Sequence, residues 1–193
     1  MTKEEARRAA DAAAARMSDA EKEWASGAIT DALISLDVFR KCRKPFVFMS
    51  VDGEPDTEPV IGLLLALERE VAVPRVKGRD MDAVRITPYT DFGRNRWGIP
   101  EPRGGRVTEE CDLAVVPLVA FDGTHRVGHG GGYYDRFLAR HPDCVKVGIA
   151  FSCRRVHGAE SEPHDIPLDF VITEKEIYTA PGVAVYNEFG GER

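Results

Sequence analysis

The segment RVGHGGGYYD, residues 126–135, decides how the rest of the chain is read. Gly128, Gly130, Gly131 and Gly132 crowd into it, and glycine both opens backbone conformations closed to other residues and lets a ligand approach the main chain. Upstream, the apolar run Leu113 to Val119 reads as a buried strand ending near Pro117; downstream, Tyr133 to Arg140 is rich in helix formers. The glycines therefore fall at a strand-to-helix junction, where bare N–H groups and the helix dipole favour an anion. Arg126 adds a fixed positive charge at the entrance, and Asp135, in the first helical turn, is suited to hold a divalent metal beside phosphates. GK[ST] is missing, and the spacing departs from the dinucleotide fingerprint. A glycine cluster alone also reads as a tight turn with close helix packing, so both readings stand here. The flanking arginine, tyrosines and aspartate weigh toward a ligand.

Working outward, Lys3 to Arg16 is predicted helical, with Lys3 and Arg7 four residues apart on one face, which on these residues alone reads as a solvated charged face. Ser18 and Glu21 form a capping-box pattern for a second helix over 19–37, whose apolar face carries Trp24, Ala28, Ile29, Ala32, Leu33 and Leu36. Phe46 to Val51 reads as a buried strand, Thr57 caps a helix with Pro59 in its first turn, and Val71 to Pro74 is the next strand: a βαβ unit. Met49, Glu54 and Asp56 follow its first strand, where open α/β sheets place ligands, although the two acids serve equally as turn and capping groups. After a short strand at Val84 to Thr87 comes a long loop, residues 88–105, with Trp97 as a stacking surface or as a side chain folded onto the core. Val145 to Phe151 is a further strand, Pro163 and Pro167 bar a regular helix, and Phe170 to Thr173 ends the sheet. His164 and Asp165 precede that last strand. If the fold brings Asp165 to Asp135, two carboxylates share one magnesium ion.

The 193 residues bound the chain to one good core, expected as a single three-layer α/β domain over 1–193 with a mostly parallel sheet and N-terminal helices 3–16 and 19–37 packed on it. A net charge of −6 argues against general nucleic-acid binding. No apolar run approaches a membrane span, and the N-terminus is a charged, alanine-rich helix rather than a signal peptide, so the expected location is the cytoplasm. Cys42, Cys111, Cys144 and Cys153 lack a CxxC pair and read as reduced, small hydrophobes.

The run Pro117 to Leu138, PLVAFDGTHRVGHGGGYYDRFL, resembles the signature of the 5-formyltetrahydrofolate cyclo-ligases, also called methenyltetrahydrofolate synthetases, R-x-G-x-G-x-G-Y-Y-D-R. Further motifs follow the family's order: Lys3 and Arg7, Glu54 and Thr57, Trp97 to Pro102, and Pro163 to Asp169. The resemblance implies a fold similar to the sugar-phosphate isomerases and CoA transferases. It also implies ATP- and magnesium-dependent closure of 5-formyltetrahydrofolate, a reduced folate, by a protein expected to be a monomer. It puts Lys3, Arg7 and Arg126 on the ATP phosphates and the backbone of Gly128, His129, Gly130, Gly131 and Gly132 around the γ-phosphate, with Tyr133 and Tyr134 at the nucleotide. Arg126, Lys3 and Tyr133 become the catalytic candidates and Asp135 and Asp165 the magnesium ligands. Met49, Glu54, Trp97 and Tyr133 line the folate site, with the 129–132 backbone on its border. Gly131 departs from the pattern, since many relatives carry a basic residue there. A nucleotide- or folate-binding module without turnover, and an ATP-dependent enzyme on another formamide- or pterin-like substrate, are the alternatives.

Overall fold

Two capping boxes start the chain. Thr2 and Glu5 cap helix α1 (Lys3–Ala14), and Ser18 and Glu21 cap α2 (Asp19–Ser35), the second as its spacing predicts. The structure is a computed structural model and describes residues 1–183. A short helix α3 (Asp37–Lys41) follows. On α2 the stripe Ala25, Ile29 and Leu33 is buried, whereas Trp24, expected on that face, is 66% exposed. One residue along a helix is about 100° of rotation, and Ala25 already occupies the inward position.

Strand β1 (Pro45–Val47), helix α4 (Glu58–Ala66) and parallel strand β2 (Ala72–Lys77) form the expected βαβ unit. Thr57 stands at the N-cap, but its hydroxyl donates to Phe48 O (2.8 Å); Asp56 does the capping, accepting from Glu58 N (2.9 Å). Strand β3 (Asp80–Arg85) returns antiparallel to β2.

The predicted long loop is a hairpin, β4 (Phe92–Arg94) against β5 (Pro100–Pro102). Asn95 makes its tip, Oδ1 accepting from Trp97 N and Ile99 N. Strand β6 (Val107–Thr108) adds to β3, and β7 (Leu113–Pro117) runs through the centre of the sheet. A second hairpin, β8 (Ala120–Asp122) with β9 (His125–Val127), separates β7 from the glycine turn, so the junction is strand, hairpin, turn, helix rather than strand, turn, helix. Helix α5 (Tyr133–Arg140) occupies its predicted span and leads to β10 (Val145–Ile149), a 3-10 turn at Ser152–Arg154, and β11 (Phe170–Ile172). The sheet does not end there, because β12 (Ile177–Thr179) pairs antiparallel with β11.

The main sheet runs β12-β11-β10-β7-β1-β2-β3-β6, parallel in its centre and antiparallel at both edges. Alternate residues face opposite layers. Val47, Leu113, Val115, Val147 and Ile149 pack with α2, α3 and α4, while Phe46, Ala114, Val116 and Val171 pack with Phe137 and Leu138 of α5. This is the three-layer α/β arrangement, built by period-two burial on a parallel sheet covered on both faces. At its centre the winding reverses, since β1 continues through α4 to β2 on one side and β7 through α5 to β10 on the other. A crevice opens beyond the carboxyl ends of strands at such a point.

Away from that crevice, Cys111 and Cys144 meet at the starts of β7 and β10 with Sγ atoms 2.6 Å apart, both as free thiols. Among the described residues no helix is long and apolar enough to cross a membrane.

Candidate active site

A cavity of about 620 Å³ lies at the β1/β7 reversal, within the range of small-molecule and cofactor sites. Phe48 and Met49 just beyond β1 and Pro117 at the end of β7 form its floor. Of the residues singled out from the sequence, Lys3, Arg7, Met49, Glu54, Trp97, Arg126, Gly128, His129, Gly130, Gly131, Gly132, Tyr133, Tyr134, Asp135, His164 and Asp165 line it. Asp56 lies outside, on the adjoining surface cleft.

The glycine turn forms one wall. Gly130 (φ 95°) and Gly132 (φ 66°) take left-handed conformations, and Gly132 is the N-cap of α5 without a side-chain cap, which leaves first-turn N–H groups for a ligand. A methyl group on Gly131 would fall 2.8 Å from the Tyr133 ring. The side chain absent there is therefore the seat of an aromatic residue. Arg7 Nε donates to Gly128 O (2.7 Å), which ties α1 to the turn and sets a guanidinium against Gly130.

Arg126 is not an entrance residue, as the sequence suggested, but a buried one with 4% of its side chain exposed. Its Nη2 donates to Asp135 Oδ2 (2.8 Å), while Nε is buried without a partner among the described residues. Tyr134 lies with its ring 5.6 Å below that guanidinium. Burial, and then the charge of Glu54, push its hydroxyl pKa well above the usual phenol range.

Lys3 reaches across the mouth to Asp165 (2.6 Å) and Glu162 (2.5 Å). Burial lowers the ammonium pKa, but the hydrogen bonds to Asp165 and then Glu162 outweigh it, so the net shift is upward. At Asp165 burial favours the neutral acid, and the Lys3 and Glu162 N–H hydrogen bonds reverse this and lower its pKa. Glu162, His164 and Asp165 form a group whose ligand atoms lie within 4.8 Å of one another. Asp135 shares the cavity with Asp165 but is held by Arg126, not by this group.

Beside the turn the lining becomes apolar and aromatic. Trp97, half exposed at the hairpin tip, meets Tyr133 edge to face with centroids 6.0 Å apart, and the Tyr133 hydroxyl donates to Gly78 O (3.2 Å). Glu54, 13% exposed, accepts from Val51 N (3.0 Å) and lies 3.8 Å from His129 Nε2. Sequence reasoning passed over Val76, Met81, Asn95, Glu101 and Glu162, which also line the cavity. Glu101 had a signal, its place in the Trp97 to Pro102 motif; it braces the hairpin, accepting from Val76 N and Asn95 Nδ2 (both 2.9 Å). Glu162 had none, since it reads as one more loop acid until Lys3 is seen beside it.

The cavity thus joins a cationic, amide-rich end suited to phosphates to an aromatic end with one buried carboxylate, suited to a flat heterocycle. The chain is 34% identical over 142 residues to the 5-formyltetrahydrofolate cyclo-ligase of Escherichia coli K12, covering 68% of this chain and 78% of that protein. It is 32% identical over 179 residues to the probable 5-formyltetrahydrofolate cyclo-ligase of Caenorhabditis elegans, covering 83% and 87%. The solved 5,10-methenyltetrahydrofolate synthetase of Aquifex aeolicus superposes with a TM-score of 0.82 at 31% identity over 98% of this chain and 99% of that one. The Mycoplasma pneumoniae 5,10-methenyltetrahydrofolate synthetase, 20% identical with a TM-score of 0.72, shares the fold. With residues 1–174 matching the family as well, the chain belongs to the 5-formyltetrahydrofolate cyclo-ligase family.

Proposed function

We propose that this protein is an ATP-dependent 5-formyltetrahydrofolate cyclo-ligase, closing its substrate to 5,10-methenyltetrahydrofolate with release of ADP and phosphate. The observation that carries the reading is that the phosphate-suited turn and the aromatic residues line one cavity. The formyl oxygen is a poor leaving group. It attacks the γ-phosphate, N10 of the folate adds to the activated carbon, and phosphate departs. The protein's part is positioning and neutralisation of charge. Lys3, Arg7 and Arg126, with the amides of the 128–132 turn, hold the nucleotide phosphates. Trp97, Tyr133 and Met49 enclose the pterin, and Glu54 accepts hydrogen bonds from its polar edge.

Asp135 and Asp165 are the proposed magnesium ligands. Their carboxylate oxygens are the donors this ion prefers, and each already faces a cation, Asp165 the Lys3 ammonium and Asp135 the Arg126 guanidinium. Magnesium held by them would supply neutralisation of the triphosphate charge. The test is absorbance in the methenyltetrahydrofolate band after mixing protein, 5-formyltetrahydrofolate, magnesium and ATP, against a control without ATP. A rise dependent on ATP is expected. No rise, with ATP binding intact by calorimetry, overturns the catalytic reading.

A further inference from the structure

Arg154 closes the 3-10 turn after β10, with 10% of its side chain exposed. Its guanidinium grips separate parts of the chain: Nη1 donates to Asp11 Oδ1 on α1 (2.9 Å) and to Val119 O (2.9 Å), and Nη2 donates to Gly53 O (3.0 Å). Each acceptor stands one step behind the site. Asp11 shares α1 with Lys3 and Arg7; Gly53 precedes Glu54; Val119 leads into the hairpin that carries Arg126. The apolar seat of α1 is slight, since its buried residues are the alanines Ala6, Ala10 and Ala14, the first two packed with Ala120, Val127, Val156 and the partly buried Ala159. Alanine buries one methyl group, so polar ties carry much of the docking. Gly53, at φ 87°, takes a conformation few other residues accept while its carbonyl meets Arg154.

We infer that Arg154 is a positioning residue that seats helix α1 and the Glu54 turn on one guanidinium, so that the nucleotide and folate walls of the cavity are assembled together. The ligand half of this statement rests on the proposed roles of Lys3, Arg7 and Glu54; the seating half does not. Only a planar fork with several donors serves all three directions, which a lysine ammonium on a flexible stem does not reproduce.

The experiment is amide hydrogen exchange on the ligand-free, full-length protein, with calorimetry of a non-hydrolysable ATP analogue and of 5-formyltetrahydrofolate. Arg154→Ala is expected to speed exchange about tenfold in residues 3–14 and 51–56 and to leave β7 and β10 unchanged. It is also expected to weaken both ligands by about tenfold. Asp11→Ala, at a side chain 62% exposed, removes the acceptor and so cuts only the helix arm, and is expected to weaken the ATP analogue alone. Arg154→Lys rescues neither ligand fully. Unchanged exchange in both segments, or equal acceleration throughout the sheet, overturns the inference. So does an Asp11→Ala variant that binds both ligands like the parent, which decides the matter if Arg154→Ala fails to fold. If the parent binds neither ligand, the proposed function fails while the exchange result still judges the seating.

Discussion

Replacing Arg126 by methionine isolates the charge at the base of the site. Arg126 and Asp135 meet at 2.8 Å with only 4% and 15% of their side chains exposed, so neither charge is well solvated by water. Methionine keeps much of the stem's volume but strands the Asp135 carboxylate, and breaking a buried pair in this way costs about 3–5 kcal/mol. For a chain of this size that corresponds to a fall in melting temperature of roughly 6–15 °C. Neutralising the stranded group in Arg126→Met/Asp135→Asn is expected to recover about 1.5–3 kcal/mol. Urea unfolding of the parent, both single variants and the double variant completes the cycle. A coupling below about 0.5 kcal/mol would refute the reasoning, because two groups this close and this buried must interact. Activity separates from stability: kcat/KM for ATP should fall by about 10²–10³ in Arg126→Met and stay low in the double variant, since the restored fold still lacks the guanidinium at the phosphates.

Two further outcomes follow from the geometry. Trp97→Ala removes one partner of the edge-to-face pair with Tyr133, and calorimetry should show 5-formyltetrahydrofolate binding weakened about tenfold with ATP-analogue binding changed by less than about twofold; the reverse pattern means the two ends of the cavity have been exchanged. The Lys3, Asp165 and Glu162 group should also stabilise the fold between two pH limits. The carboxyl pKa values lie below their ordinary 3.8 and 4.5, so their contribution is present above those values and lost as pH falls through the lowered ones. The Lys3 pKa lies above its ordinary 10.5, so its contribution is present below that value and lost as pH rises through the raised one. Lys3→Met should therefore lose stability less steeply than the parent from pH 4.5 downward, and equal slopes in urea titrations would contradict the pairing.

Local rules read much of this fold in advance. The Ser18 and Glu21 box and helix α5 need only near neighbours, so their sequence spacing suffices. The β1-α4-β2 unit follows from alternating apolar runs with a capped helix between them. Where strands are too short to show a period, reading failed: the hairpins β4/β5 and β8/β9 and the strand β12 have three-residue, mixed sequences whose partners confer their conformation. Trp24 misled because periodicity marks a helix face only to within about one residue.

For the site, the sequence by itself determined which residues to look for. The glycines, Arg126, Trp97, Glu54, Asp135 and Asp165 stand out by charge, ring or backbone freedom within a short motif, Lys3 and Arg7 only through the family resemblance, and all of them line the cavity. Only the tertiary structure decided how they are paired. Arg126 belongs to Asp135 beneath the turn, Lys3 to Asp165 and Glu162 across the mouth, and Tyr133 to the space left by Gly131. Ion pairs and close contacts between residues up to 162 positions apart depend on the winding of the sheet, which brings the ends of β1 and β7 side by side. No local pattern encodes that distance, so partner choice becomes readable only once the chain has folded.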